Sequence, residues 1–193
     1  MKTIPDPILR GSRREFDIEY LFRTPAVQAT QPHERLLLCW VLPAWQRPEV
    51  WDEARKRRFI EGIFLGLGTG YYVVHQPDWD ESGARPMAGW LIDGQQRLGA
   101  LRDFVCHGLP IFDDVRWDDL SAAQRRRFMS TNFPCIELAY QDDEHRLREI
   151  YDRLNFGGVA HSQADRERAR KAPWAAAHDA RDEGRARAHA QRG

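Results

Sequence analysis

A chain of 193 residues accommodates one domain with a sizeable core and leaves no room for two full catalytic domains. Hydrophobic residues at 42% and charged residues at 30% are proportions of a soluble globular protein, and no apolar run reaches transmembrane length. The 29 Lys and Arg balance the 29 Asp and Glu, so any nucleic-acid surface must arise from local segregation of charge.

Residues 1–34, rich in Pro, Thr, Gln and Arg, read as an irregular N-terminal arm without the apolar stretch of a secretory signal. Arg35 to Leu42 is a continuous apolar run closed by Pro43, the pattern of a buried strand. From about Pro48 to Leu65 the spacing is helical, with Trp51, Phe59, Ile60, Ile63 and Phe64 on one face. Gly66-Leu-Gly-Thr-Gly70 then ends that helix. Tyr71 to His75 is a second strand, Gln76 to Pro86 an exposed polar loop, and Ala88 to Ile92 a third strand. The next helix carries Leu98, Leu101 and Val105 on one face. Another covers Asp118 to Met129, with Ser121 available as a cap. Phe133 to Leu138 is a fourth strand and Asp142 to Leu154 a further helix.

Strands interspersed with helices predict an α/β (α+β) fold, a small mixed sheet flanked by helices, over residues 35–161. Residues 162–193 are rich in Ala, Arg and acidic side chains and read as a helical or disordered tail. The tail's composition is compatible with homodimerisation or with docking onto DNA, and decides neither. Cys39, Cys106 and Cys135 each sit among apolar neighbours and none belongs to a Cys-x-x-Cys pair. They read as buried free thiols in a reducing cytoplasm.

The chemistry is concentrated in Trp90-Leu-Ile-Asp-Gly-Gln-Gln-Arg-Leu98. A strand ends at Asp93, Gly94 permits a tight turn, and a helix starts at once. Unpaired backbone N–H groups and the positive end of the helix dipole therefore aim at one point. Arg97 in the first turn adds a bidentate cation suited to phosphate oxygens. Asp93 is placed to hold Mg²⁺ or to position a water or hydroxyl. Gln95 and Gln96 can orient a nucleophile by hydrogen bonding but cannot take its proton.

Three further segments accompany this one in order: Leu42-Pro-Ala-Trp-Gln-Arg-Pro-Glu-Val-Trp51, Arg58-Phe-Ile-Glu-Gly-Ile-Phe-Leu-Gly66 and Arg153-Leu-Asn-Phe-Gly-Gly158. Together they resemble the N-terminal domain of GmrSD-type modification-dependent restriction enzymes, a branch of the ParB/sulfiredoxin superfamily. The resemblance covers about Leu36 to His161. It implies nucleotide binding (ATP, GTP or CTP), with triphosphate hydrolysis linked to sensing or cutting DNA. Carried over, it puts Gly94 and Arg97 on phosphate and Asp93 and Gln96 beside the metal or attacking group. Gln46 and Arg47 enter from the end of the first strand, and Asn155, Gly157 and Gly158 close the pocket. Two departures stand out. No histidine cluster of an HNH nuclease domain is present, which points to a compact stand-alone version. The family's Asn-Ser-Gly-Gly is Asn-Phe-Gly-Gly here, with Phe156 in place of a hydroxyl.

Other signals have plainer explanations. Gly66 to Gly70 lacks the lysine of a phosphate loop, and the histidines, His75 and His161 included, show no metal-ligand spacing. Trp40, Trp51 and Trp90 read as core, while Trp45 at a strand end is the candidate for base stacking. Arg55, Lys56 and Arg58 with Arg125 to Arg127 would form a phosphate-tracking strip if both runs lay on the pocket side. The expected function is phosphoryl transfer by an NTP hydrolase or kinase. The alternatives are a nucleotide-switched DNA-binding or adaptor module and a ParB-like nuclease.

Overall fold

The computed structural model describes residue 4 and residues 7–156. Gly157, Gly158, His161 and the expected tail at 162–193 lie outside the described residues. The fold is mixed α+β, as the sequence predicts. Among the described residues a four-stranded mixed sheet runs in the order β1 (Gly11–Arg14), β8 (Cys135–Leu138), β4 (Tyr72–His75), β7 (Leu91–Asp93). β8 pairs antiparallel with β1 and parallel with β4, and β4 pairs antiparallel with β7. The central strand β4 is Tyr-Val-Val-His and every residue in it is buried. Its β-branched pair suits a pleated surface covered on both faces.

Among the described residues five α-helices surround the sheet: α1 (Ile18–Arg23), α2 (Glu53–Phe64), α3 (Gln95–Cys106), α4 (Ala122–Met129) and α5 (Glu144–Phe156). Asp52 caps α2 by accepting the N–H of Arg55 at 2.8 Å, so this helix starts later than the periodicity predicts. Its far end closes on Gly66, at φ 76°, with Leu67 N–H bonded to Gly62 C=O and Gly66 N–H to Ile63 C=O. That paired bonding is a Schellman cap, which accounts for Gly66 without a ligand. α2 packs on α3, and α5 lies against β7.

Five expectations are corrected. Part of the supposedly irregular arm is ordered: β1 forms an edge of the sheet, and α1 inserts Ile18 and Leu21 into the core. Arg35 to Leu42 is not one buried strand but a tight hairpin, β2 (Arg35–Leu37) and β3 (Trp40–Leu42). Leu38 at its turn adopts φ 55°. The 76–86 loop contains a short hairpin, β5 (Trp79–Asp80) with β6 (Gly83–Ala84). Cys106 is exposed, whereas Cys39 and Cys135 are buried as expected. The helix predicted from Asp118 is divided. A single 3-10 turn, Trp117–Asp119, comes first, and α4 then starts behind the Ser121 cap.

Candidate functional site at the start of helix α3

The site is built where β7 hands over to α3. Leu91 and Ile92 are buried in the sheet, and Asp93 emerges at its edge. Gly94 turns the chain at φ 109°, and an added Cβ would lie 2.6 Å from Cβ of Tyr72. Both the dihedral and the space therefore demand glycine. The N-cap of α3 is Gly94, which has no side chain to cap it. Its first N–H groups and its dipole are thus available to an anion.

The stretch after β3 folds over this helix start. The Gln96 side-chain oxygen accepts the N–H of Val50 and of Trp51, each at 2.9 Å, and Gln46 Nε2 donates to Ile92 C=O at 3.4 Å. A cluster of ion pairs holds the loop from the other side. Glu49 binds Lys56 at 2.8 Å and Arg102 at 3.0 Å, and both cations also bind Asp103. Gly99 lets Glu49 approach, because a Cβ there would come within 3.0 Å of its carboxylate.

The result is a cavity of about 150 Å³. Eight of the predicted residues line it: Gln46, Arg47, Asp93, Gly94, Gln95, Gln96, Arg97 and Asn155. Arg97 donates to Asp93 at 2.7 Å, with both side chains about a quarter exposed. Opposite, Arg47 donates to Asn155 Oδ1 at 3.4 Å, and Asn155 Nδ2 donates to Tyr151 C=O at 3.0 Å. Four polar atoms of the lining are buried without a hydrogen-bond partner among the described residues. They are Gln46 Oε1, Gln95 Nε2, Gln96 Nε2 and Arg97 Nε. Three of the four are donors.

The structure separates several expected residues from this cavity. Trp45 is 5% exposed, edge-on to both Trp90 and Tyr151, so it is core and offers no face to a base. Lys56 is held by Glu49 and Asp103, and Arg55 and Arg58 lie exposed on α2 outside the lining. Gln96 spends its oxygen on the loop backbone, which leaves it only an N–H₂ to offer a ligand. Two lining residues escaped the sequence reading. Trp51, assigned there to the core, is half-buried in the wall, and Tyr151 stands one helical turn before Asn155. Burial pushes the Tyr151 phenol up, so it stays neutral at physiological pH. The i, i+4 spacing of Tyr151 and Asn155 was the available signal.

Asp93 is the one carboxylate in the described lining, and no group of three metal-binding side chains occurs among the described residues. The donor set therefore fits Mg²⁺ only as an ion carried in with phosphates, with Asp93 as a single protein ligand.

The model of the GmrSD restriction endonuclease N-terminal domain matches residues 29–170, most of the chain. The chain belongs to that family. Membership puts it in the setting of DNA-modification defence. No curated protein and no solved structure matches it. No helix among the described residues is long and apolar enough to cross a membrane.

Proposed function

We propose that this GmrSD-type domain binds the phosphates of a nucleoside triphosphate at the start of α3 and transfers or hydrolyses the terminal one. The observation that carries the reading is the gathering of Arg47, Gln95, Gln96 and Arg97 around the N-terminus of α3, where the N-cap Gly94 has no side chain to occupy the first N–H groups. Kinship with the ParB/sulfiredoxin superfamily, carried by the Asp-Gly-Gln-Gln-Arg motif, and DNA as a partner are parts of the same proposal.

In the free protein Arg97 is neutralised by Asp93. An incoming phosphate competes for the guanidinium and draws it away, with Arg47 approaching from the opposite wall. Asp93 is then released beside the phosphate, the only carboxylate in the described lining able to accept a proton. Mg²⁺, when bound, would neutralise phosphate charge next to Asp93. In hydrolysis the water oxygen bonds to the terminal phosphorus, the bond to the leaving diphosphate breaks, and the water proton goes to Asp93 and on to solvent. In a kinase the hydroxyl of a modified base or small molecule takes the place of water. Fixed donors around the phosphate provide most of the stabilisation.

A second reading is a nucleotide-switched binding module. It is favoured by the absence of histidine and of a second carboxylate from the described lining, which makes for weak acid–base equipment. The deciding experiment incubates the chain with γ-labelled ATP, GTP or CTP and Mg²⁺, with and without DNA bearing normal or hydroxymethylated bases. Label in free phosphate or in DNA, lost in Arg97→Ala and Asp93→Asn, supports transfer. Binding with no release under any condition supports the switched module and refutes transfer.

A further inference from the structure

The tryptophan that walls the cavity at the start of α3 also walls a second one near its end. This second cavity, about 390 Å³, is lined by Trp51, Glu53, Lys56, Asp103, His107 and Leu109 among others. The first cavity alone, at about 150 Å³, is smaller than the roughly 300–1,000 Å³ of sites that enclose a small molecule. It suits phosphates and leaves the rest of a nucleotide to be housed elsewhere. Both cavities lie along α3, the first at Gln95 to Arg97 in its first turn and the second at Asp103 toward its end.

We propose that the nucleoside half of the nucleotide lies along Trp51 in this second cavity while its phosphates occupy the first. The inference rests on the phosphate reading above. The chemistry of the second cavity differs from that of the first. Its lysine is already satisfied, donating to Glu49 at 2.8 Å and to Asp103 at 2.5 Å, so it has little charge to offer a further phosphate. His107 shares a 3.0 Å hydrogen bond between Nδ1 and Asp103. An aromatic wall, buried Leu109 and the polar side chains of Glu53 and His107 suit a flat heterocycle and sugar hydroxyls.

The test compares inorganic tripolyphosphate with ATP by titration calorimetry on the full chain. Two substitutions touch only the second cavity. Glu53→Trp fills it from the first turn of α2, and His107→Ala removes a side chain from its rim. Wild type should bind ATP about tenfold or more tighter than tripolyphosphate, the scale of one stacked base. Glu53→Trp should abolish that advantage and His107→Ala reduce it, while tripolyphosphate affinity stays within about twofold in both. If tripolyphosphate binds but ATP binds no tighter, or Glu53→Trp leaves ATP affinity unchanged, the nucleoside site is overturned and the phosphate site stands. If tripolyphosphate does not bind, while ATP binds and is lost in Glu53→Trp, the phosphate reading fails and the second cavity is supported.

Discussion

The side-chain oxygen of Gln96 accepts the backbone N–H of Trp51 at 2.9 Å, and that of Val50 at the same distance. One buried amide thus fixes both the loop that walls the two cavities and the first turn of α3. Gln96→Leu strands two N–H groups and should cost about 1–3 kcal/mol in urea unfolding. Gln96→Glu keeps the acceptor and stays nearer wild type in stability. Its added negative charge beside the helix start should weaken tripolyphosphate binding at least tenfold. A Glu variant that binds as tightly as wild type would contradict an anion site there.

Asp93→Asn removes the partner of Arg97 from an ion pair that is partly open to solvent. The stability cost should stay below about 1 kcal/mol. Phosphate affinity should hold or rise, because a negative charge has left the site, while release of labelled γ-phosphate disappears. Unchanged turnover would remove Asp93 from any catalytic role.

Gly94→Ala places a methyl group 2.6 Å from Tyr72 Cβ and forces a side chain to adopt φ 109°. Either problem alone costs on the order of 1–3 kcal/mol. The variant should melt well below wild type, and phosphate binding should fall with it as the helix start shifts. Gly66→Ala, at φ 76° with open space around the added carbon, should cost less. Equal losses at the two positions would mean that the approach to Tyr72 is not limiting.

His75 supplies a pH test. It is fully buried, donating from Nδ1 to Met87 C=O at 2.8 Å and accepting the Gln141 N–H at Nε2 at 2.9 Å, which defines a neutral ring. Burial lowers its pKa below the ordinary 6.5, against a smaller opposing effect of the Met87 bond. The unfolded chain takes up this proton near pH 6.5 and the folded chain only at lower pH. The stabilisation is therefore complete above that value and declines as pH falls below it, levelling off once the folded protein also protonates. His75→Gln should be less stable at pH 8 yet show a shallower decline in melting temperature from pH 7 to 5. A decline as steep as that of wild type would assign the loss to other groups.

The start of α3 was legible because its signals are local: strand, Asp93, Gly94, then helical spacing within a dozen residues. The edge strand β1 was not. Gly-Ser-Arg-Arg is exposed throughout, so no apolar alternation marks it, and its partner Leu138 lies at the other end of the described chain. The hairpin at Arg35 to Leu42 was hidden because its turn requires Leu38 in a left-handed conformation that its residue type disfavours. Trp45 and Trp51 exchanged roles for a related reason. Trp45 is buried by Trp90 and Tyr151, from distant segments, and Trp51 faces the cavities because Gln96 holds its backbone. Neither relationship is written in periodicity. The convergence of Gln46, Arg47 and Asn155 on one cavity followed from family resemblance and from no spacing within the chain.

The most direct test of the central claim is a backbone amide NMR titration of the full chain with inorganic tripolyphosphate. The account predicts saturating shifts of the Gln95, Gln96 and Arg97 N–H signals, at the first turn of α3, and their loss in Arg97→Ala. Shifts confined to other segments, or shifts at these amides that persist unchanged in Arg97→Ala, would contradict it.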